Sequence, residues 1–314
     1  MPYFSTEAIN SVRNLDLLTY LRNYEPEELV KICRGNYCTK THDSLKISNG
    51  MWYWFSRGIG GKSALDYLVK VRDYSFTEAV EKILKECDID NIQKVEYIDK
   101  NEDREFELPE RASNNYTAIK YLTNRGIDKE IINECINKGL IYQDIDNNVV
   151  FVGYDQNNIA KYASIRTTTN RRFMYEAYKS NKAFSFQLAN IKESESVHIF
   201  ESAIDLLSYA TLVKMSNKNL NTNLISLLGV YQPPEQIEDT LIPIALNYYL
   251  NIHPKTKRIF LHLDNDYTGK KASNALSCVI PKRFEVIDSP PPNGKDYNDF
   301  LCYIINKNLD KGER

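Results

Sequence analysis

The chain has 314 residues, 42% of them hydrophobic and 26% charged, with a formal net charge of −2. Its length exceeds one ordinary domain, so two or three compact units are expected, and the charge excludes a histone-like coat of positive residues while leaving room for a local basic groove. No apolar run is long enough to cross a membrane. The start, MPYFSTEAINSVRN, lacks an apolar h-region and a small-residue cleavage site, so no export signal is read. The scattered cysteines 33, 38, 87, 135, 278 and 302 fit reduced thiols in a cytoplasmic protein. The abundance of Asn, Lys, Ile and Tyr points to an AT-rich genome and says little about chemistry.

Residues 1–90 form the first expected unit. VRNLDLLTYL and ALDYLVKVRDYSFTEAVEKILKEC carry helical apolar spacing, with SLKIS and MWYWFS as short strands between them. Residues 91–115 are polar, acidic and poor in core positions, the composition of a linker. In 116–195 the helices TAIKYLTNRG and DKEIINECINKG precede the strands VVFVGYD and IAKYASIRTT. From 196 to 314 the pattern alternates. VHIFE, LISLLGV, RIFLHLD and FEVIDS read as strands. SAIDLLSYATLVKM, PPEQIEDTLIPIALNYYL, TGKKASNALSCVI and YNDFLCYIINK read as helices. Such alternation predicts an α/β fold with a parallel sheet covered on both faces. No internal repeat or low-complexity tract interrupts it.

In open α/β sheets, sites form beyond the carboxyl ends of the strands. Glu201 closes VHIFE, Asp264 and Asp266 close RIFLHLD, and the loop PNGKDYNDF carries Asp296 and Asp299. If the first two strands are neighbours, Glu201 meets an aspartate pair that would otherwise only repel itself. Carboxylate oxygens suit Mg²⁺, which takes one or two carboxylates plus substrate phosphates. Gly269 lets the backbone turn close to such an ion, and Lys270, Lys271 and Lys295 lie where phosphate would meet them. The plainer reading is that acids at strand ends are solvated or cap helices. Asp205, one turn beyond Glu201, fits a first-turn dipole role as well as a catalytic one.

The segments FESAIDLLSYA, FLHLDNDYTGKK and GKDYNDFL resemble the Toprim domain shared by DnaG-type primases, topoisomerases and some nucleases, over about 196–305. The resemblance implies Mg²⁺ or Mn²⁺ on Asp264 and Asp266, with Glu201 in acid–base or metal chemistry. THDSLKIS, MWYWFSRGIGGKSALDYLVK and YSFTEAVEKIL are similar to the zinc-binding domain of bacterial primases. That register puts Gly35 and Cys38 at one ligand pair and Trp54 and Arg57 at the other, and one surviving thiol cannot replace four ligands. Cys33 does not rescue the site, since nothing replaces the second pair. No zinc is therefore expected, with Trp52 and Trp54 filling its space. In KISNGMWYWFSRGIGGK, Lys46, Arg57 and Lys62 lie among aromatics on which bases could stack, although alternate strand residues must face a core.

YLTNRGIDKEIINECINKG and the strands after it resemble the amino-terminal part of a primase core. They also resemble an uncharacterised domain that precedes Toprim in plasmid and transposon proteins, with EAYKSNKAFSF similar to its lysine-containing turn. Lys161, Arg166, Arg171, Arg172, Lys179 and Lys182 concentrate charge there, either as a phosphate-binding surface or as a solvated face. Together these resemblances imply a primase-like protein of a mobile element. Its expected partners are single-stranded DNA template, nucleoside triphosphates and a replicative helicase or relaxase, with no membrane. A Toprim nuclease using the same acids, or a non-catalytic DNA-binding replication or transfer factor, remains the alternative. A topoisomerase fits less well, because the chain is short for gate domains and shows no identifiable tyrosine nucleophile.

Overall fold

The computed structural model describes residues 4–33, 35–87, 105–169, 173–188, 194–227, 237 and 240–312. They fall into two compact units, Met1–Arg104 and Glu105–Arg314.

In the first unit, α1 (Thr6–Arg13) and α2 (Leu17–Tyr24) precede an antiparallel sheet of β1 (Leu29–Cys33), β2 (Asn36–Thr39), β3 (Leu45–Ser48), β4 (Met51–Trp54) and β5 (Ile59–Gly61), in that spatial order. Helices α3 (Ala64–Lys70) and α4 (Phe76–Glu86) follow. Ser63 and Ser75 start them with capping boxes completed by Asp66 and Glu78, satisfying amide groups that a helix start leaves unpaired. Three of the strands, β1, β2 and β5, lie outside the segments whose alternation predicts strands. Their short sequences carry little periodicity, and ladder hydrogen bonds make them strands: β2 pairs with β3, β5 with β4, and β1 with β2. Strand alternation sorts the MWYWF segment. Trp52 is buried at 2% exposure against Leu45, Ile47 and Tyr67, whereas Tyr53 and Phe55 are 39% and 53% exposed. Trp54 is half-buried, stacked on His42 at 4.2 Å between ring centres, with the Arg57 guanidinium 5.5 Å over its ring. Cys38 is buried.

In the second unit, α5 (Tyr116–Asn124) and α6 (Lys129–Asn137) lead into an antiparallel sheet of β6 (Ile141–Gln143), β7 (Val149–Tyr154), β8 (Ala160–Arg166) and β9 (Met174–Glu176). Most of the expected linker, 91–104, lies outside the described residues. Its remainder belongs to this unit. Phe106 and Leu108 pack on the β7–β8 core, Tyr142 Oη donates to the Pro109 carbonyl at 2.6 Å, and the Arg111 guanidinium sits 4.0 Å from the Tyr142 ring. Two apolar residues among many charges suffice once a sheet edge waits for them.

The parallel sheet has the order β10 (Gln187–Leu188), β12 (Asn223–Ser226), β11 (Ser196–Phe200), β13 (Arg258–His262), β14 (Glu285–Asp288), with β10 antiparallel at the edge. Helices α7 (Ala203–Met215), α8 (Ile244–Ile252), α9 (Tyr267–Val279) and α10 (Tyr297–Gly312) connect or follow its strands. Helix α8 starts only after Pro243, later than the helix expected from 233, because an interior proline removes a donor and clashes with the preceding turn. Residues 228–236, where that helix was to begin, lie outside the described residues. The divide expected at 195/196 runs through one continuous core. Ala118, Leu122, Ile132 and Phe151 pack with Phe200, Leu206 and Leu207. Lys214 of α7 pairs with Asp128 and Glu130 of α6, both at 2.6 Å. Among the described residues, no helix is long and apolar enough to cross a membrane.

Candidate active site

Strands β11 and β13 are parallel neighbours in register, Phe200 beside His262. The residues that follow therefore emerge together. Glu201 Oε1 accepts the Asp264 N–H at 3.1 Å, joining two chain positions 63 apart. Beneath them the two strands are locked through histidines. The Ser289 carbonyl can only accept, so His262 Nδ1, 2.8 Å away, carries the hydrogen and its Nε2 accepts from His198 Nδ1 at 2.7 Å. Burial holds both rings neutral, pushing His198 down to about 4 and His262 to about 3.

Asp266 caps α9, its Oδ1 accepting the Gly269 N–H at 2.9 Å. The helix start lies so close to the preceding loop that a Cβ on Gly269 would sit 2.1 Å from the Asp264 carbonyl oxygen. The capping role and the metal role are therefore compatible, because capping uses one oxygen and leaves Oδ2 free to face Lys295. The Lys295 ammonium lies 3.1 Å from Asp264 Oδ2 and 3.4 Å from Asp266 Oδ2.

The acids press on one another. Burial, aided by the Asp264 charge, pushes the Glu201 carboxyl up to about 8. Asp205 is buried at 7% exposure, and burial with the Asp296 charge pushes it up to about 7. It accepts hydrogen bonds from Ser202 Oγ at 2.5 Å and the Asn298 N–H at 3.2 Å. Burial also raises Asp264, although Lys295 pulls the other way. For Asp266 burial is outweighed by the Gly269 N–H and Lys295, which hold it below the usual carboxylate range. Burial works against the Lys295 charge, yet the two aspartates keep its pKa raised.

A cavity of about 280 Å³ opens onto this edge, and its lining includes both the acids Glu201, Asp205, Asp264 and Asp296 and the cations Arg125, Arg166 and Lys295. Arg166 was expected from the sequence as part of a basic cluster. Arg125 was not, although it ends α5 in the segment YLTNRG. Its Nη1 donates to Asn298 Oδ1 at 2.8 Å, and Tyr121 Oη accepts from Arg125 and Arg166 at 3.3 and 3.2 Å. Burial would raise the Tyr121 phenol, but the two guanidiniums bring it below its ordinary value.

Among the described residues, the basic candidates other than Arg166 and Lys295 do not line this cavity. Lys182 pairs with Glu176 at 3.1 Å. Lys179 occupies a left-handed turn at φ 54° with its ammonium 5.7 Å from the Tyr178 ring. Lys161 is half-buried on β8, and Lys270 is exposed on α9. Arg57 and Lys62 are exposed in the first unit. Arg171 and Arg172 lie outside the described residues.

No group of three or more His, Cys, Asp or Glu side chains converges as a ready metal cage among the described residues. The donor chemistry nonetheless fits a hard divalent ion. Asp264 and Asp266 already turn one oxygen each toward a single cation, and an ion of the Mg²⁺ type takes only one or two carboxylates with water and substrate phosphates.

Comparison with known proteins gives this geometry a family. Residues 198–301, which include Glu201, Asp264, Asp266 and Lys295, match the family model described as Toprim-like. Residues 120–192, which include Arg125 and Arg166, match one described as a protein of unknown function, DUF3991. The uncharacterized protein pXO2-78 of Bacillus anthracis is 31% identical over 284 residues, covering 85% of this chain and 78% of its own. Among solved structures, the zinc-binding and RNA polymerase domains of the Aquifex aeolicus primase match with a TM-score of 0.41 at 18% identity, over 98% of this chain and 85% of that one. The primase fragment of the bacteriophage T7 primase-helicase protein matches with a TM-score of 0.42 at 18% identity, over 61% and 72%. Toprim domains are generally metal-dependent.

Proposed function

This chain belongs to the same family as the Bacillus anthracis pXO2-78 protein and carries a Toprim-like domain, and from that premise we propose that it is a primase of a mobile genetic element, joining nucleotides into short primers on single-stranded DNA. One observation carries the reading. Glu201, Asp264 and Arg166 line the same cavity from the ends of three different strands, bringing proton-accepting, cation-holding and anion-holding groups to one site.

In this reading Asp264 and Asp266 are the residues that would hold Mg²⁺ or Mn²⁺. When bound, such an ion supplies Lewis-acid stabilisation of charge on the phosphate oxygens. Arg125 and Arg166, fixed by Asn298 and Tyr121, line the same cavity and would meet the triphosphate there. The primer 3′ oxygen forms its bond to the α-phosphorus as the α–β P–O bond breaks and pyrophosphate leaves. The proton of the 3′ hydroxyl goes to Glu201 Oε2, since Oε1 is engaged by the Asp264 N–H. A carboxyl pushed up to about 8 is a better proton acceptor, once ionised, than an ordinary glutamate.

The first unit fits a primase zinc-binding frame that has lost its metal, with His42, Trp54 and Arg57 stacked near the former ligand positions. Its exposed Tyr53 and Phe55 suit template stacking. This reading also places the protein in the cytoplasm, with a replicative helicase or relaxase as recruiting partner. Incubation with single-stranded template, nucleoside triphosphates and Mn²⁺ tests the proposal. Template-dependent oligonucleotides support it. DNA cutting makes the protein a nuclease that uses the same acids, and binding without chemistry makes it a transfer or replication factor.

A further inference from the structure

Lys295 is held in an unusual way. Its carbonyl accepts the Asn265 N–H at 2.7 Å, inside the Asp264–Asp266 loop itself. Its own N–H donates to Asp299 Oδ2 at 3.2 Å, and the Asp299 N–H donates in turn to Asp296 Oδ1 at 2.7 Å. Gly294 just before it adopts φ +85°, a conformation that L side chains rarely take. The backbone is thus pinned beside the two aspartates. The side chain is not, being 57% exposed against 15% for Asp264 and 40% for Asp266. A long, rotamer-rich chain on a fixed base reaches a position where only a cation is stable.

We propose that Lys295 is a tethered counter-cation that holds the Asp264–Asp266 position until a divalent ion displaces it. The proposal rests on the reading above that these aspartates are the metal site. The ammonium and a divalent ion claim the same two Oδ2 atoms and repel each other, so both cannot hold them at once. A short flexible tether gives the ammonium an effective concentration in the millimolar range, enough to compete with free metal. Meanwhile it offsets the repulsion between the aspartates in the empty protein. After displacement the ammonium remains at a cavity that Arg125 and Arg166 also line, and the group it then suits is a nucleotide phosphate.

Two measurements on the full-length protein test this. The first is Mn²⁺ binding followed by the electron paramagnetic resonance of the free ion. Lys295→Gln should bind Mn²⁺ about threefold to tenfold more tightly than wild type, the scale of a partly exposed ion pair removed from competition. Equal or weaker binding overturns the proposal. The second measurement needs no variant at this position. Carbodiimide treatment of the wild-type protein should join Lys295 to Asp264 or Asp266 without metal, and saturating Mn²⁺ should suppress that crosslinked peptide at least threefold. A crosslink that persists at saturation shows that the ammonium stays in place, and the displacement idea fails. An Asp264→Asn, Asp266→Asn protein that still binds Mn²⁺ like wild type removes the metal-site reading itself, and this proposal with it. If the double variant loses Mn²⁺ while Lys295→Gln binds as wild type, only the displacement falls.

Discussion

In the first unit, polar groups are neutralised locally. Ser63 and Ser75 close capping boxes, Arg72 spans Glu25 and the Tyr67 hydroxyl at 3.1 and 2.9 Å, and buried Glu28 accepts the Thr41 N–H at 3.0 Å. At the ends of β11 and β13 the opposite holds. Glu201, Asp205, Asp264, Asp266 and Asp296 crowd one edge, and burial raises three of them rather than relieving them. The first arrangement stabilises a scaffold. The second withholds stability at one place, where an arriving cation and its anionic substrate can supply it. Acids crowded and buried where β-strands end mark where chemistry belongs.

The contrast breaks most sharply at the aspartates. Asp264→Asn with Asp266→Asn should abolish primer synthesis to background while leaving the metal-free protein at least as stable as wild type. Wild type should gain about 2.7 kcal/mol from metal at a hundredfold excess over Kd, and the double variant nothing, in thermal unfolding. A melting response to Mn²⁺ like that of wild type would remove these residues from the metal site.

Glu201→Gln comes next, with activity down by roughly 10²–10⁴-fold and the metal-induced stabilisation largely kept. It also sharpens the comparison through pH. The Glu201 pKa is raised from 4.5 unfolded to about 8 folded, so the folded protein binds the extra proton in that window. Its favourable share of stability is complete below about 4.5 and is lost as pH rises to about 8. In metal-free buffer, unfolding curves of wild type should therefore fall relative to Glu201→Gln between those values. The gap should reach a few kcal/mol, on the order of 1.4 per pKa unit. Parallel curves would show that the carboxyl is not buried as charge.

In the first unit the expected effects are ones of stability and binding, not catalysis. Trp52→Ala should cost about 3–5 kcal/mol by leaving a cavity beside Tyr67 and losing the indole bond to the Ser63 carbonyl, read by denaturant unfolding. Smallest of all, Tyr53→Ala should leave folding unchanged and weaken single-stranded DNA binding by about 1–3 kcal/mol. If both substitutions act alike on stability, or if Tyr53→Ala leaves binding intact, the outer face of β4 is an ordinary surface.

Local periodicity made the α/β alternation legible, along with the placement of Glu201, Asp264 and Asp266 at strand ends and the buried character of alternate residues in MWYWF. These features depend on residues a few positions apart. Strands β1, β2, β5 and β6 escaped the same reading because their pairing, rather than their periodicity, makes them strands. Pro243 delayed the start of α8 for a local reason that the sequence already contained.

Asp-x-Asp after an apolar run and a glutamate ending an earlier strand marked candidate acids at strand ends, which meet only if those strands are neighbours. Only the tertiary structure decided which groups share one site. Arg125 meets Asn298 across 173 residues, Asp205 is sealed by the start of α10, and Lys295 reaches between the aspartates because its loop is bonded to theirs. Strand order and register are set by long-range ladder hydrogen bonds and a core shared between distant segments. A charge at one position carries no mark in the sequence of the partner it will face, so the meeting of Arg125, Arg166 and Lys295 with the acids appears only once the strands are side by side.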